Sequence, residues 1–233
     1  MTETIYLSIV VPMFKAQHSL PTLHRRLVDT LGEVTRWELI LVDDASPDDT
    51  QRVAKGVAKH DGRVSYYRLE TNHGQHYATI YGLRRSLGAR IVTMDDDLEH
   101  APEFIPALLE PLDAGFLVTI ARFRNKTHSR HRRAGSWLAG RLWRRFYGAG
   151  ELAISSFKAF DRQGLEKILA RRTITTAPFS AHILETLPRD SLVNVEVEHH
   201  PRLHGKSNYT RSMLLAEFGK LVQAALKRTL PIA

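Results

Sequence analysis

Short, strongly apolar runs alternate with amphipathic segments along the first half of the chain. The apolar runs are rich in Val, Ile and Leu and end at proline or charged residues, a pattern typical of buried strands. They predict strands at Tyr6–Val11, Trp37–Val42, Val64–Leu69, Ala89–Met94 and Phe116–Ala121. The amphipathic segments predict helices that begin near Ser19 (as the N-cap), Thr50, Gln75 and Pro102. This alternation predicts an α/β fold in which helices cover both faces of a mostly parallel sheet.

Polar clusters follow four of the predicted strands at their carboxyl ends. These clusters are Pro12–Lys15, Asp43–Asp49, Asn72–Gln75 and Asp95–Glu99. The carboxyl ends of parallel strands lie at one edge of a sheet, and ligands of open α/β sheets bind just beyond that edge. The sequence therefore predicts one ligand site that is built from these four loops.

The most highly charged of these clusters contains Asp95-Asp96-Asp97, which follows directly on a buried strand. Three adjacent carboxylates repel one another unless a positive charge lies among them. One interpretation is a divalent cation that holds a phosphorylated ligand. The alternative is a solvated acidic turn that merely ends the strand. The convergence of four polar strand ends favours the first interpretation.

Several sequence motifs are absent, and their absence excludes particular kinds of ligand-binding site. Neither Gly-x-Gly-x-x-Gly nor Gly-x-x-x-x-Gly-Lys-Ser/Thr occurs, which argues against dinucleotide-binding and P-loop sites. A nucleotide can still bind, because a carboxylate after the second strand can accept from a base N–H or a ribose hydroxyl. A metal at Asp95–Asp97 can neutralise its diphosphate. The chain has no cysteine, which excludes a disulfide framework and a Cys-based zinc site or nucleophile.

The net charge is +8 at pH 7, and the excess is uneven. The stretch from Arg122 to Arg145 is rich in arginine and contains no acid, which indicates a polyanionic partner: ligand phosphates, nucleic acid or anionic lipid headgroups. On a helical projection of Ser136–Tyr147, apolar and aromatic side chains occupy one arc and arginines the opposite arc, with Trp137 an exception among the arginines. Such a helix suits a bilayer interface. The alternative is a helix that packs on the core and exposes a basic face.

Membrane-spanning and secretory segments are not expected. No apolar run approaches the roughly 18 residues that a spanning helix needs, and the N-terminus lacks the basic and apolar regions of a signal peptide. Met213–Leu226 is amphipathic and predicts a C-terminal helix that docks on the domain, on a membrane or on a partner.

Six segments together resemble the family 2 glycosyltransferases of the GT-A fold, and more narrowly the polyprenyl-phosphate sugar transferases of the dolichyl-phosphate mannose synthase and undecaprenyl-phosphate group. The segments are Ser8–Pro12, Val42–Asp48, Asn72–Gln75, Met94–His100, Ser155–Lys158 and His199–Tyr209. Each is weak alone, but their order and spacing are specific. The resemblance implies a GT-A (Rossmann-like) catalytic domain over residues 1–211, with the basic membrane-surface segment at 130–150 inside it, followed by a C-terminal amphipathic helix at 212–233.

The resemblance also implies roles in donor binding. The nucleotide-binding candidates are Pro12, Phe14, Asp43, Asp44, Ser46, His73, Gly74, Asp95 and Asp96, with Asp44 the better candidate for the base. Asp95 and Asp97 match the two acids of the family's Asp-x-Asp motif, and Glu99 falls where relatives carry a further metal-contacting side chain. These three residues would hold Mg or Mn against the diphosphate. Relatives usually carry Asn where Lys15 stands and Gly at Ala45.

The basic residues fit an anionic acceptor. The candidates for binding an acceptor phosphate are Arg122, Arg132, Ser136, Arg202 and Lys206. A phosphate monoester is already anionic at pH 7 and needs little help from a general base, but it needs cations to approach a diphosphate. The catalytic candidates are Asp96, Asp97, Arg122, Arg202 and Lys206. Asp96 would act as a base if it turned toward the acceptor, and is otherwise a solvent-facing turn residue.

Together these features predict an inverting, metal-dependent enzyme that moves a sugar from a UDP- or GDP-sugar to polyprenyl phosphate. We expect a peripheral protein at the cytoplasmic face of the membrane. The alternative enzyme is a peripheral family 2 transferase that extends a glycan hydroxyl in polysaccharide or lipopolysaccharide synthesis. A nucleic-acid-binding module is the alternative from another class, and the acids at the strand ends argue against it. The sequence leaves open the sugar, the nucleotide, a homo-oligomer and a membrane partner protein.

Overall fold

The computed structural model describes residues 5–32, 36–124, 152–153, 155–171 and 179–198. This part contains all four loops that are predicted to form the ligand site. The basic segment predicted at 130–150, the C-terminal helix predicted at 212–233 and the acceptor candidates Arg132, Ser136, Arg202 and Lys206 lie outside the described residues.

Seven strands within the described residues form one mixed sheet. They are β1 (Leu7–Met13), β2 (Trp37–Asp43), β3 (Val64–Arg68), β4 (Arg90–Thr93), β5 (Val118–Arg124), β6 (Lys158–Asp161) and β7 (Leu192–Glu198). Their order across the sheet is β3-β2-β1-β4-β6-β5-β7. Strands β1 to β4 are mutually parallel and β5 is parallel to β7, whereas β6 runs antiparallel to both of its neighbours. The predicted α/β fold with a mostly parallel sheet is confirmed.

Six α-helices in the described part connect the strands and cover the sheet. They are α1 (Leu20–Leu31), α2 (Thr50–His60), α3 (Gln75–Leu83), α4 (Ile105–Asp113), α5 (Arg162–Leu169) and α6 (Phe179–Thr186). A 3-10 turn at Pro102–Phe104 leads into α4. Ser19 occupies the predicted N-cap position of α1, but its side chain does not cap the helix: its backbone is already helical, and its hydroxyl donates to the carbonyl oxygen of Ala16 instead of accepting from the helix.

Two apolar layers enclose β1, all of whose residues are buried. Because successive strand side chains point to opposite faces, Ile9 and Val11 lie in one layer, with Leu23 and Leu27 of α1. Val10 lies in the other layer, which also contains the apolar side chains of α3, α5 and α6. Each fully buried aliphatic side chain stabilises the fold by about 1.5–3 kcal/mol. The result is a firmly held central strand whose carboxyl end supports the candidate site.

The strand β1 continues through Pro12 to Met13, beyond its predicted end. A proline inside a sheet normally removes a ladder hydrogen bond. Here the carbonyl oxygen of Met13 accepts from the backbone N–H of Asp44 in the β2 direction, so Pro12 faces the other side. On that side β4 has already ended at Thr93, which pairs with Val10. The missing N–H of Pro12 therefore costs no ladder hydrogen bond.

The strand β6 is the main departure from the sequence prediction, which contained no strand there. It has only four residues and inserts between β4 and β5, so a period-2 pattern is too short to recognise. Its first residue, Lys158, pairs with Thr93 on one side and Ile120 on the other. This register brings the segment before β6 next to the carboxyl end of β4, where the three consecutive acids begin.

Candidate active site

The four polar loops meet at one edge of the sheet, as predicted, and hydrogen bonds join them directly. The backbone N–H of Phe14 donates to Oδ2 of Asp96 over 3.1 Å. The next residue, Lys15, donates its backbone N–H to Oγ of Ser46 over 3.0 Å. The loops that follow β1, β2 and β4 are therefore tied together through side chains that the sequence had marked as candidates.

Asp43 is fully buried, and its carboxylate is surrounded by donors from the protein. Its Oδ2 accepts from the Tyr66 hydroxyl at 2.8 Å and from the Arg68 guanidinium at 2.7 Å, and its Oδ1 accepts from the Ser46 backbone N–H at 2.8 Å. Burial raises the pKa of Tyr66, and the hydrogen bond to Asp43 raises it further. Asp43 thus fixes the loop after β2 to β3.

Asp44 supports the turn that leads into α3. Its two carboxylate oxygens accept from the backbone N–H groups of His73 and Gly74, each over 2.8 Å. The Asn72 amide also donates to the carbonyl oxygen of Asp44 over 3.1 Å. Gly74 has φ +88°, a left-handed conformation that glycine adopts without strain. Asp44, His73 and Gly74, which were predicted to bind the nucleotide, therefore form one hydrogen-bonded unit.

Asp95 lies at the centre of the site, with its side chain 25% exposed. Its Oδ1 accepts from the Gln75 side-chain amide over 2.5 Å, and its Oδ2 accepts from the Ser156 hydroxyl over 2.8 Å. Burial raises the pKa of the Asp95 carboxyl, while the Ser156 hydrogen bond and the positive charge of Lys158 oppose that rise. The contacts from α3 and from the segment before β6 hold this carboxylate in one orientation.

His100 stabilises the start of the acidic turn and is itself buried. Its ring lies between the rings of Phe123 and Phe157, nearly parallel to both, with centroid distances of 5.3 and 5.1 Å. Its Nδ1 accepts from the backbone N–H of Asp95 over 3.0 Å, so Nδ1 carries no hydrogen in this arrangement. His100 therefore anchors the start of the acidic turn to the buried aromatic side chains.

The remaining acids form a tight turn after β4. Oδ1 of Asp97 accepts from the backbone N–H of Glu99 over 3.0 Å, which closes an Asx-type turn. Leu98, between them, has φ +66° and a fully buried side chain. A left-handed non-glycine residue costs roughly 1–2 kcal/mol, and the burial of the Leu98 side chain offsets that cost. Asp96 holds the β1 loop rather than pointing only to solvent.

Left-handed backbone recurs in the other loops of the site. Among the described residues, the non-glycine positions with positive φ are Lys15, Ala45 and Leu98, at 61°, 56° and 66°. They lie after β1, β2 and β4 respectively. Asn and Gly, which the family resemblance leads us to expect at the first two positions, tolerate this conformation more readily.

The acids have the right chemistry for a divalent cation, although they are not preassembled. Carboxylate oxygens are the donors that Mg²⁺ prefers and that also suit Mn²⁺, and Asp95, Asp97 and Glu99 supply them within one turn. No group of three acidic or histidine side chains in the described ranges is already gathered as a metal centre. The candidate set therefore fits the ion by donor type, and two side-chain donors already orient the carboxylate of Asp95.

Arg122, a predicted contact of the acceptor phosphate, is half-buried on β5, opposite Glu196 of β7. Because strand side chains alternate, it faces away from Phe123, the residue that stacks on His100.

The supporting roles of Gln75 and Ser156 were not predicted. Their segments had been singled out by resemblance, but nothing in the sequence links either side chain to a particular acid.

Comparison with known proteins identifies the family of this chain. Residues 8–171 match the model of glycosyl transferase family 2. The chain is 32% identical over 217 residues to an undecaprenyl-phosphate 4-deoxy-4-formamido-L-arabinose transferase of Klebsiella pneumoniae (strain 342), covering 89% of this chain and 64% of the relative. It is 32% identical over 218 residues to the protein of the same name in Pseudomonas fluorescens (strain SBW25), covering 90% and 61%. The chain thus spans less than two thirds of the length of these relatives.

A solved structure shares the fold. Glucosyl-3-phosphoglycerate synthase from Mycobacterium tuberculosis, in complex with Mn²⁺, UDP and glucosyl-3-phosphoglycerate, superposes with a TM-score of 0.70. The match covers 95% of this chain and 80% of that one at 17% identity, a level that shows the fold alone. In the part of this chain that the structure describes, no helix has the length and apolar character needed to cross a membrane.

Proposed function

This chain belongs to glycosyl transferase family 2, and we propose that it is an inverting, metal-dependent transferase that moves a sugar from a nucleoside diphosphate to a polyprenyl phosphate. The observation that carries the proposal is the acidic turn at Asp95–Asp97, fixed at the sheet edge by contacts from three other loops. The names of the two relatives reported above describe them as undecaprenyl-phosphate sugar transferases. These names support a lipid phosphate as the acceptor.

The donor nucleotide would bind over the loops after β1, β2 and β3. Its proposed contacts are Pro12, Phe14, Asp44, Ser46, His73 and Gly74, with Asp95 and Asp96 toward the diphosphate. Asp43, which is fully buried, would support this pocket by holding the loop after β2. The hydrogen bonds within this group order the loops before any ligand arrives, which lowers the entropic cost of binding. UDP- and GDP-sugars are the donors to test.

Asp95, Asp97 and Glu99 would hold Mg²⁺ or Mn²⁺. A divalent cation bound there would neutralise the diphosphate as it leaves. The protein's own contribution is to position the acids: Gln75 and Ser156 orient the carboxylate of Asp95, and Asp96 fastens the β1 loop beside it. This preorganisation avoids a reorientation cost during the reaction.

The acceptor phosphate would be guided by cations rather than activated by a base. Its proposed contacts are Arg122, Arg132, Ser136, Arg202 and Lys206, of which Arg122 lies within the described residues. Guanidinium and ammonium groups reduce the repulsion between an acceptor phosphate and the donor diphosphate. We place the reaction at the cytoplasmic surface of the membrane, where a basic peripheral segment can meet a lipid phosphate.

A transfer assay tests this proposal. Purified protein would be incubated with UDP- and GDP-sugars, vesicles that contain undecaprenyl phosphate, and Mn²⁺ or Mg²⁺. We expect sugar transfer to the lipid that EDTA abolishes and that Asp97→Asn reduces by at least roughly 100-fold. Asp190→Asn, on an exposed turn far along the chain, should retain normal activity. Efficient transfer to a soluble glycan without transfer to the lipid would overturn the proposal and favour the hydroxyl-extending alternative.

A further inference from the structure

Lys15 carries an exposed side chain at the rim of the candidate donor site, and it is not among the predicted contacts of the nucleotide. It lies in the loop after β1, which hydrogen bonds join to the loops after β2 and β4. The strand order reverses at β1, with β2 on one side and β4 on the other. Ligands of open α/β sheets bind in the crevice at such a reversal. Lys15 is therefore a cation beside the crevice that is proposed to hold the donor.

The backbone around Lys15 is fixed by side chains from the neighbouring loops. The three successive N–H groups of residues 14–16 donate to Asp96 over 3.1 Å, to Ser46 over 3.0 Å and to Thr50 over 2.8 Å. Lys15 itself has φ 61°, a strained conformation for a residue with a Cβ atom. Strained backbone persists only where its surroundings hold it, and it concentrates at ligand sites. The loop therefore holds the base of this side chain in place before a ligand arrives.

Within the described residues, the ammonium group of Lys15 contacts an aromatic ring rather than an acid. Its Nζ lies over the Phe14 ring, 5.3 Å from the ring centroid, and it forms no ion pair in this part of the chain. Such an exposed cation–π contact is weak, so an anionic ligand can replace it. The acids of the adjacent loop after β2 are engaged elsewhere. Their partners are Tyr66 and Arg68 for Asp43, His73 and Gly74 for Asp44, Thr50 for Asp48, and Arg52 for Asp49.

We propose that Lys15 binds the diphosphate of the sugar nucleotide, as a protein cation in addition to the metal ion that the acidic turn would hold. This inference rests on the proposed function, which supplies the diphosphate. Contacts between an ammonium group and a phosphate are charge-assisted and therefore strong, and lysine serves as a point charge in phosphate sites. The donor rather than the acceptor phosphate is the expected ligand, because Ser46 and Asp96, which anchor the loop, are both proposed donor contacts.

Calorimetric titration with UDP and with GDP in the presence of Mn²⁺ tests this contact. For the nucleotide that the wild type binds, we expect Lys15→Met to raise the Kd roughly tenfold, because one charge-assisted contact is lost. Lys15→Arg keeps a cation at this position and should retain most of the affinity. Lys55→Met removes an exposed lysine of α2 and should bind like the wild type, which controls for net charge.

Urea unfolding separates loss of binding from loss of structure. Because the Lys15 side chain is exposed, the unfolding midpoints of Lys15→Met and Lys15→Arg should match that of the wild type. Lys15→Gly is a second uncharged variant that also relieves the left-handed strain. It should unfold at a midpoint no lower than the wild type, and it should bind the nucleotide as weakly as Lys15→Met. Wild-type affinity in Lys15→Gly would overturn the inference.

Steady-state kinetics identify which phosphate Lys15 contacts. In Lys15→Met we expect the KM for the sugar nucleotide to rise, while the KM for undecaprenyl phosphate in vesicles stays unchanged. A rise confined to the lipid, or equal nucleotide affinity in Lys15→Met and the wild type, would overturn the inference and leave the transferase proposal intact. A wild type that binds neither nucleotide would contradict the proposed donor site, and the role of Lys15 with it.

Discussion

Single carboxylates in this site are held by partners that the sequence does not reveal. The position of Asp43 after a predicted strand marked it as a candidate nucleotide contact. Its actual donors, Tyr66 and Arg68, come from β3. A sequence pattern places an acid at a strand end because periodicity fixes where the strand stops. The pattern does not identify which distant residue donates a hydrogen bond to that acid, because the choice of donor depends on how the strands pair.

Ala45 offers a direct test of backbone strain in the loop after β2. Its φ of 56° is unfavourable for a residue with a Cβ atom. We expect Ala45→Gly to raise the free energy of unfolding by about 0.5–1 kcal/mol, since relief of strain exceeds the added entropy of the unfolded chain. Urea denaturation measures this. Ala58→Gly, in the interior of α2, is the control and should lower stability; a loss of stability in both variants would contradict the strain assignment.

At the level of elements, the position of α3 determines how the donor loops meet Asp95. Gly82 lets this helix approach the sheet closely: a Cβ atom there would lie 2.4 Å from Cγ1 of Val10 and 3.1 Å from Cγ2 of Val42. The first residue of the same helix, Gln75, donates to Asp95. Close packing at one end of α3 therefore supports a hydrogen bond of the site at the other end.

Gly82→Ala should push α3 away from the sheet. We expect the free energy of unfolding to fall by about 1–3 kcal/mol, because the added methyl group overpacks a core between two β-branched side chains. Gly56→Ala in α2 is the matched control: apart from its chain neighbours and the nearby backbone of its own helix, no atom lies within 4 Å of the added Cβ, and alanine should stabilise that helix by about 0.5–1 kcal/mol. Equal effects in the two urea unfolding curves would show that close packing of α3 is not the cause.

Asp61 joins three elements at the opposite end of the sheet from the site. It accepts from the His24 ring of α1 at 2.8 Å, and both of its carboxylate oxygens accept from the Arg63 side chain just before β3. The hydrogen bonds from Arg63 hold the pKa of the Asp61 carboxyl well below its usual range. Asp61 therefore links α1, the end of α2 and β3.

The low pKa of Asp61 predicts a pH-dependent contribution to stability. A carboxyl group whose pKa is depressed by folding stabilises the protein above its unfolded pKa of about 3.9, and that stabilisation is lost as the pH falls toward the folded value. Asp61→Asn should lower the free energy of unfolding by about 1–3 kcal/mol at pH 7, with a smaller difference at pH 3. Asp29→Asn, an exposed site on α1, should change little at either pH. A difference for Asp61→Asn that does not depend on pH would refute the assignment.

For the whole molecule, hydrophobic periodicity predicts the architecture as far as β5, because up to that point each strand is followed by its own helix. The rule fails afterwards: β6 inserts antiparallel between β4 and β5, and β7 then pairs with β5 at the edge. Four residues cannot specify such a long-range pairing. The supporting contact from Ser156 to Asp95 spans 61 residues of chain. The acidic loops could therefore be predicted, whereas the segment that holds Asp95 from behind could not.

Calorimetric titration with UDP and with GDP, each with and without Mn²⁺, tests most sharply whether the acidic turn binds a donor diphosphate together with a divalent cation. We expect the wild type to bind one of the two nucleotides in the presence of Mn²⁺. Without Mn²⁺ or in Asp97→Asn, that binding should weaken at least roughly tenfold, while the thermal midpoint of the variant stays near that of the wild type. No binding of either nucleotide, or equal binding in Asp97→Asn and the wild type, would contradict it.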